Sequence, residues 1–283
     1  MRNKPLHRIL AVAGLLATGI VLAPASPAHA AIGLYRVSAV SAGGAVSPQT
    51  ATASCNAGDK ATDAGGHINS GNGDVSLTRA FIEDTMDRAT AMGVETIPTG
   101  APWDVTAWVT CAPAGTIAGQ QLVQASLGYD STDKKVTATC PANKIAYGGG
   151  FKVVSAAGQA AIDEKVFNGA FTSVAVQSYD AGAVGPYTLF AQAVCGTSLP
   201  AKSLQVHTSA SNSITPKVDS PNACPIGQEA SGVGGLINGL TGDGSLDTVR
   251  PKAGMTTGEV IAREIGPNAT QNWTVQSQVT CVG

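Results

Sequence analysis

An acid–base or nucleophilic site in this chain would have to draw on few groups. Beyond the first thirty residues the only histidines are His67 and His207, and the only adjacent carboxylates are Glu83-Asp84 and Asp163-Glu164. A Ser-His-Asp triad needs a histidine held between hydroxyl and carboxylate by oriented hydrogen bonds. The two histidines stand in unlike surroundings, His67 just after a glycine cluster and His207 ahead of a cysteine. Neither a Gly-x-Ser-x-Gly elbow nor a His-Glu-x-x-His helix motif occurs. Neighbouring residues on a strand point to opposite faces, so each carboxylate pair is expected to be split, or to sit in a solvated turn, rather than to form a glycosidase site. Gly71-Asn72-Gly73-Asp74 and Gly242-Asp243-Gly244 lack the run of acidic ligands that calcium requires and are expected to be hairpin turns. No catalytic residue, metal ligand or cofactor is assigned.

The remaining reactive side chains are six cysteines, Cys55, Cys111, Cys140, Cys195, Cys224 and Cys281. Without Cys-x-x-Cys spacing or a neighbouring histidine they make a poor zinc cage, and an even number in an exported chain points to disulfides. Export is expected from the N-terminus: Arg2, Lys4 and Arg8, an apolar run from Ile9 to Leu22, then Pro24, Pro27 and a small-residue site Ala28-His29-Ala30. This is the pattern of a signal peptide over residues 1–30, too short and too soon broken by proline for a membrane anchor. Its removal lowers Lys+Arg from 17 to 14 against 19 Asp+Glu, a net charge of −5. A polyanion binder would carry the opposite sign, and no basic cluster or later apolar span suggests a lipid surface. Nucleic acid and membrane partners are therefore not expected.

The cysteines also set a repeat. Cysteine-to-cysteine separations are 56, 55 and 57 residues, and successive first cysteines lie 85 and 84 residues apart, a period that defines structural units of 31–113, 114–197 and 198–283. Six cysteines allow fifteen pairings; the periodicity selects Cys55 with Cys111, Cys140 with Cys195 and Cys224 with Cys281. Gly65, Gly150 and Gly234 keep the same phase inside glycine clusters, and Trp103, Tyr187 and Trp273 each open a nine-residue alternating segment ending in the second cysteine. Period two over nine residues predicts a half-buried strand. Glycine runs in strands mark bulges or close backbone approach; a phosphate-cradling loop would need a following Gly-Lys-Ser/Thr helix, which is missing.

Further β-prone segments at Leu34–Val40, Leu122–Leu127 and Leu204–Thr208 bring each unit to four or five short strands, with a helical turn expected at Phe81–Ala89. Connections of about nine residues containing Pro113 and Pro200 favour units packed together. The expected fold is all-β, with three pseudo-threefold-related, disulfide-closed units in a β-prism-like arrangement; three β-sandwich beads in a row are the alternative. The repeated aromatics Trp103, Tyr187 and Trp273 read as shared core, whereas Trp108 belongs to the first unit alone and is the ring that could face outward.

The stretch Cys140-Pro141-Ala142-Asn143-Lys144-Ile145-Ala146-Tyr147-Gly148-Gly149-Gly150, closed by Tyr187–Cys195, resembles a framework pattern of secreted proteins from Streptomyces and related actinobacteria. Cys224-Pro225 fits it; Asn56 departs from it, standing where the proline should be. The chain is similar in this respect to small disulfide-bearing adaptor proteins of umbrella-shaped secreted toxin particles, a resemblance that implies an adaptor role. The function expected is a secreted, extracellular, non-enzymatic binding or adaptor protein, with a protein partner recognised by segments that differ between units: Phe81–Gly93, Ser155–Asp163 and Asn238–Ser245. Lectin-like carbohydrate binding is the alternative, and a secreted hydrolase the third class.

Overall fold

The computed structural model describes residues 31–155, 160–180, 185–240, 242–266 and 271–283. The expected leader, and parts of the segments Ser155–Asp163 and Asn238–Ser245, lie outside the described residues. Through the described residues run eighteen strands: β1 (Tyr35–Val40), β2 (Gln49–Ser54), β3 (Lys60–Asn69), β4 (Val75–Ile82), β5 (Arg88–Glu95), β6 (Asp104–Ala112), β7 (Gln121–Asp130), β8 (Lys134–Thr139), β9 (Lys144–Ser155), β10 (Ala160–Phe167), β11 (Ser173–Asp180), β12 (Tyr187–Thr197), β13 (Lys202–Thr208), β14 (Lys217–Asp219), β15 (Glu229–Asn238), β16 (Gly244–Pro251), β17 (Gly258–Glu264) and β18 (Thr274–Val282). Each of the stretches 31–113, 114–197 and 198–283 thus holds six strands, not four or five. The extra pair comes from the hairpins β4–β5, β10–β11 and β16–β17.

The strands form three six-stranded sheets, ordered β1-β6-β3-β16-β17-β14, β2-β5-β4-β9-β12-β7 and β13-β18-β15-β10-β11-β8. Every sheet takes three strands from one stretch and three from another. The two halves meet at a ladder of only two residue pairs: His67↔Thr248 and Gly66↔Val249, Lys152↔Arg79 and Phe151↔Ala80, Leu236↔Glu164 and Gly235↔Lys165. Alternation survives at outer strands such as β2, where Gln49, Ala51 and Ala53 are buried and the residues between them exposed. It fails in β6, β12 and β18, which lie inside their sheets and are covered on most positions of both faces. The nine-residue segments are therefore strands, but not half-buried ones.

Two local expectations are corrected. Phe81–Ala89 forms no helical turn: β4 and β5 are joined by a tight turn in which Met86 N–H donates to Glu83 and Glu83 N–H to Arg88. Met86 takes φ 55°, and Phe171 and Met255 do likewise in the corresponding turns at 59° and 52°. All three side chains are buried, so apolar burial offsets the cost of the left-handed backbone. Gly71–Asp74 does form a tight turn, with Gly73 at φ 93°, but it is not a hairpin. It joins β3 of one sheet to β4 of another, and Gly242–Gly244 stands between β15 and β16, again in different sheets.

The disulfides are Cys55–Cys111, Cys140–Cys195 and Cys224–Cys281. Each links the residue region after an outer strand of one sheet to an inner strand of the next. Closing a loop of 55–57 residues is worth ~4 kcal/mol in the chain-entropy account. The glycines act at the seams: a Cβ on Gly65 would overlap the carbonyl of Val249, one on Gly150 that of Ala80, and one on Gly234 that of Lys165. Gly65→Ala should therefore cost roughly 1–3 kcal/mol through forced separation of β3 and β16, read as a fall of several degrees in Tm. Gly169→Ala, where a Cβ meets nothing, is the control that should melt almost as wild type.

At the centre, Asp63 of β3 is buried and joins the sheets. Its Oδ1 accepts from Gly149 N of β9 at 2.8 Å and from Lys165 Nζ of β10 at 2.7 Å, and its Oδ2 accepts from Val233 N of β15 at 3.0 Å. Lys165 Nζ, also buried, donates in addition to Ala64 O at 3.0 Å. Eight residues after the other two first cysteines stand Gly148 and Gly232. A Cβ on Gly148 would overlap Thr62 and Asp63, so one side chain fills this point.

Candidate binding clefts

The histidines are brought to polar partners, but not into a triad. His67 bonds through Nδ1 to the hydroxyl of Thr248, which has no exposure to solvent; burial and then Arg250 hold its pKa below the ordinary value. His207 Nδ1 lies 2.6 Å from Asp219 Oδ1, and Asp219 Oδ2 accepts from Ser277 Oγ at 2.6 Å. Here carboxylate stands between hydroxyl and imidazole, so this imidazole cannot take the hydroxyl proton.

Trp103, Tyr187 and Trp273 are buried at 2%, 0% and 1% exposure. Lys134 Nζ lies 4.7 Å from the centre of the Tyr187 ring and Lys217 Nζ 4.7 Å from that of Trp273, while Gln49 donates to Trp103 O at 2.6 Å. None of these rings is a surface platform for a sugar.

The carboxylates Asp163 and Glu164 are not split between faces. The β10–β11 ladder skips from Ile162↔Ser178 to Glu164↔Gln177, which leaves Asp163 as the extra residue of a β-bulge. A bulge breaks the alternation, and both carboxylates line one cleft of about 390 Å³ with Lys135, Gln177, Tyr179 and the turn residues Asn238–Leu240. Parts of two segments expected to vary, Ser155–Asp163 and Asn238–Ser245, meet here. Glu164 is paired with Lys135 at 2.7 Å, whereas Asp163 is buried and its Oδ1 has no hydrogen-bond partner among the described residues. Burial, then Glu164, pushes the Asp163 carboxyl up to about 7.

The same bulge occurs at Thr78 on β4 and Asp247 on β16, and the cross-strand neighbour differs each time. Ser76 faces Val94, Ala161 faces Tyr179 and Ser245 faces Arg263. Asp247 is accordingly paired, accepting from Arg263 Nε at 2.7 Å, and burial pushes it only to about 6. Thr78 donates to Met92 O. Asp163 alone is left with tyrosine at the place of the arginine.

A raised folded pKa means that protonation favours the fold, so this contribution is complete below about pH 4 and lost as pH rises through 7. Asp163→Asn should therefore stabilise the protein by on the order of 2 kcal/mol at pH 8 and hardly at all at pH 4, measured by urea denaturation at both values. Equal effects at the two pH values would mean that Asp163 is not held in the buried, unpaired setting described.

The second departure lies at the seams. Gln192 of β12 donates to Ile82 O and accepts from Ile82 N, both at 2.8 Å, and Gln278 of β18 accepts from Phe167 N at 2.9 Å. At the third seam the residue three before the cysteine is Trp108, and the backbone it would serve belongs to Pro251, which has no N–H. The Pro251 carbonyl is taken instead by Arg36 Nη1 at 2.6 Å. Arg36 stacks on Trp108 at 4.5 Å from the ring centre and Arg250 lies 5.6 Å from it. These three, with Lys252 and Glu259, line an open cleft of about 410 Å³. Glu259 pairs with Arg250, and burial, then Arg250, lowers the Arg36 pKa.

Local sequence reading missed Arg36, Arg250, Lys135 and Tyr179, because their partners lie far away along the chain. A comparison of in-phase positions exposes the Gln, Gln, Trp and the Val, Tyr, Arg series. Among the described residues no group of three or more His, Cys, Asp or Glu side chains could hold a metal ion. What fold and clefts define is an all-β, disulfide-stapled protein with charged clefts, a further one of about 440 Å³ being lined by Glu83, Asp84 and Arg88. No protein-family model matches the chain, and no curated protein is similar to it at a significant level.

Proposed function

We propose that the chain is a secreted, extracellular, non-enzymatic binding or adaptor subunit. In this reading three repeated units pack as a β-prism-like scaffold, and recognition of a protein partner lies where otherwise corresponding places differ. The observation that carries it is the Trp108 seam. Two seams are closed by glutamine on a neighbouring backbone, and the third presents tryptophan with two arginines at an open cleft. Trp and Arg are the residue types that dominate binding energy at protein interfaces. The three disulfides fit an oxidising, extracellular setting. Carbohydrate binding ranks second, since the buried repeated aromatics offer no platform and Trp108 is already stacked on Arg36.

Residues 31–283, immobilised and exposed to culture supernatant of the producing organism, should retain a stoichiometric protein partner, and an Arg36→Ala, Trp108→Ala variant of wild-type-like fold should lose it. Retention of glycan alone would replace this reading with the lectin one. Hydrolysis of a retained polymer by the purified protein would replace it with the hydrolase.

A further inference from the structure

We infer that the cleft around Asp163 is a receptor for a guanidinium or ammonium group, an arginine or lysine side chain presented by a protein partner. This rests on the binding-protein reading for the identity of the partner, but the site itself is argued from the chain's own geometry. Asp163 and Asp247 occupy the same bulge position, two residues past the cross-strand pairs Ala161↔Tyr179 and Ser245↔Arg263. In the second case the carboxylate accepts from Arg263 Nε at 2.7 Å. In the first the guanidinium is missing: tyrosine stands there, the carboxylate is buried to 4% exposure, and among the described residues no cation pairs with it, while Oδ1 is unbonded in both carboxylates. A buried carboxylate with no cation beside it is costly, and the chain displays at Asp247 the group that pairs with such a carboxylate, Arg263 on Oδ2.

The surroundings suit a cation. Glu164 and Asp133 add negative charge to the same end of the hairpin, Lys135 is engaged by Glu164, and Tyr179 gives a ring beside the entrance. The facing end of β15 and the two residues after it, Leu236–Leu240, contribute Asn238 and no titratable group. With Asp163 pushed up to about 7, cation binding should strengthen as pH rises through neutrality.

The test uses ethylguanidinium and butylammonium as probes in an NMR titration of residues 31–283. Saturable shifts at the amides of Asp163, Tyr179 and Asn238 are expected, with affinity about tenfold weaker at pH 6 than at pH 8. Asp163→Asn should abolish them. Tyr179→Arg, which copies Arg263, should also abolish them while raising Tm, because the new guanidinium fills the cleft from within. Shifts that persist in both variants, or no saturable shift at these amides in the wild type, would overturn the proposal. If the probes bind as expected but no protein is retained from supernatant, the cleft stands and the protein-partner reading falls.

Discussion

Asp63→Ala should lower the unfolding free energy by ~3–5 kcal/mol, enough to leave many domains largely unfolded at growth temperature. The carboxylate accepts from a lysine and from backbone N–H groups of two other sheets, all at 2.7–3.0 Å. Its removal strands the Lys165 ammonium in a place without solvent, and also leaves the N–H groups of Gly149 and Val233 unbonded. Burial lowers the Lys165 pKa and raises that of Asp63; each charge is tolerated because of the other. The double variant Asp63→Ala, Lys165→Met should recover a large part of the loss, since removing both members of a buried pair is often neutral. Denaturant titration of the three variants checks this. A double variant no more stable than Asp63→Ala would show that the backbone contacts, not the trapped charge, dominate.

Trp273→Ala should cost a similar ~3–5 kcal/mol. The ring is 1% exposed, immediately precedes the inner strand β18, and is covered by Lys217. Truncation opens a cavity bounded by strands of two sheets, which relaxes poorly. Trp108→Ala removes a partly exposed ring whose main contacts are arginine side chains, and should cost far less. Equal Tm values for wild type and Trp273→Ala would contradict the placement of the ring in the core.

Strand segments and disulfide partners were legible because their signals are local or strictly spaced: alternation before Cys111, Cys195 and Cys281, and cysteines 55–57 residues apart. Glycines at Gly65, Gly150 and Gly234 could be read as close-approach sites for the same reason. Which strands pair was not legible, because β3 joins β16 and β4 joins β9 through ladders of two pairs each, too short to leave a pattern. The bulge at Asp163 reversed the expected facing of a carboxylate pair, since one extra residue cancels a period-two rule. Nothing local in the sequence singles out Asp63 or Lys165. Their burial is set by residues 102 positions apart, and the one hint, from the repeat, is that Asp63 stands where the other stretches carry glycine.

Every sheet is shared between two stretches, and we therefore expect the described residues to unfold as one cooperative body, which would hold the clefts in fixed relation. Differential scanning calorimetry of residues 31–283 with disulfides intact tests this most directly. A single transition with equal calorimetric and van't Hoff enthalpies is expected. Two or three resolved transitions, each assignable to one of the three stretches, would contradict it.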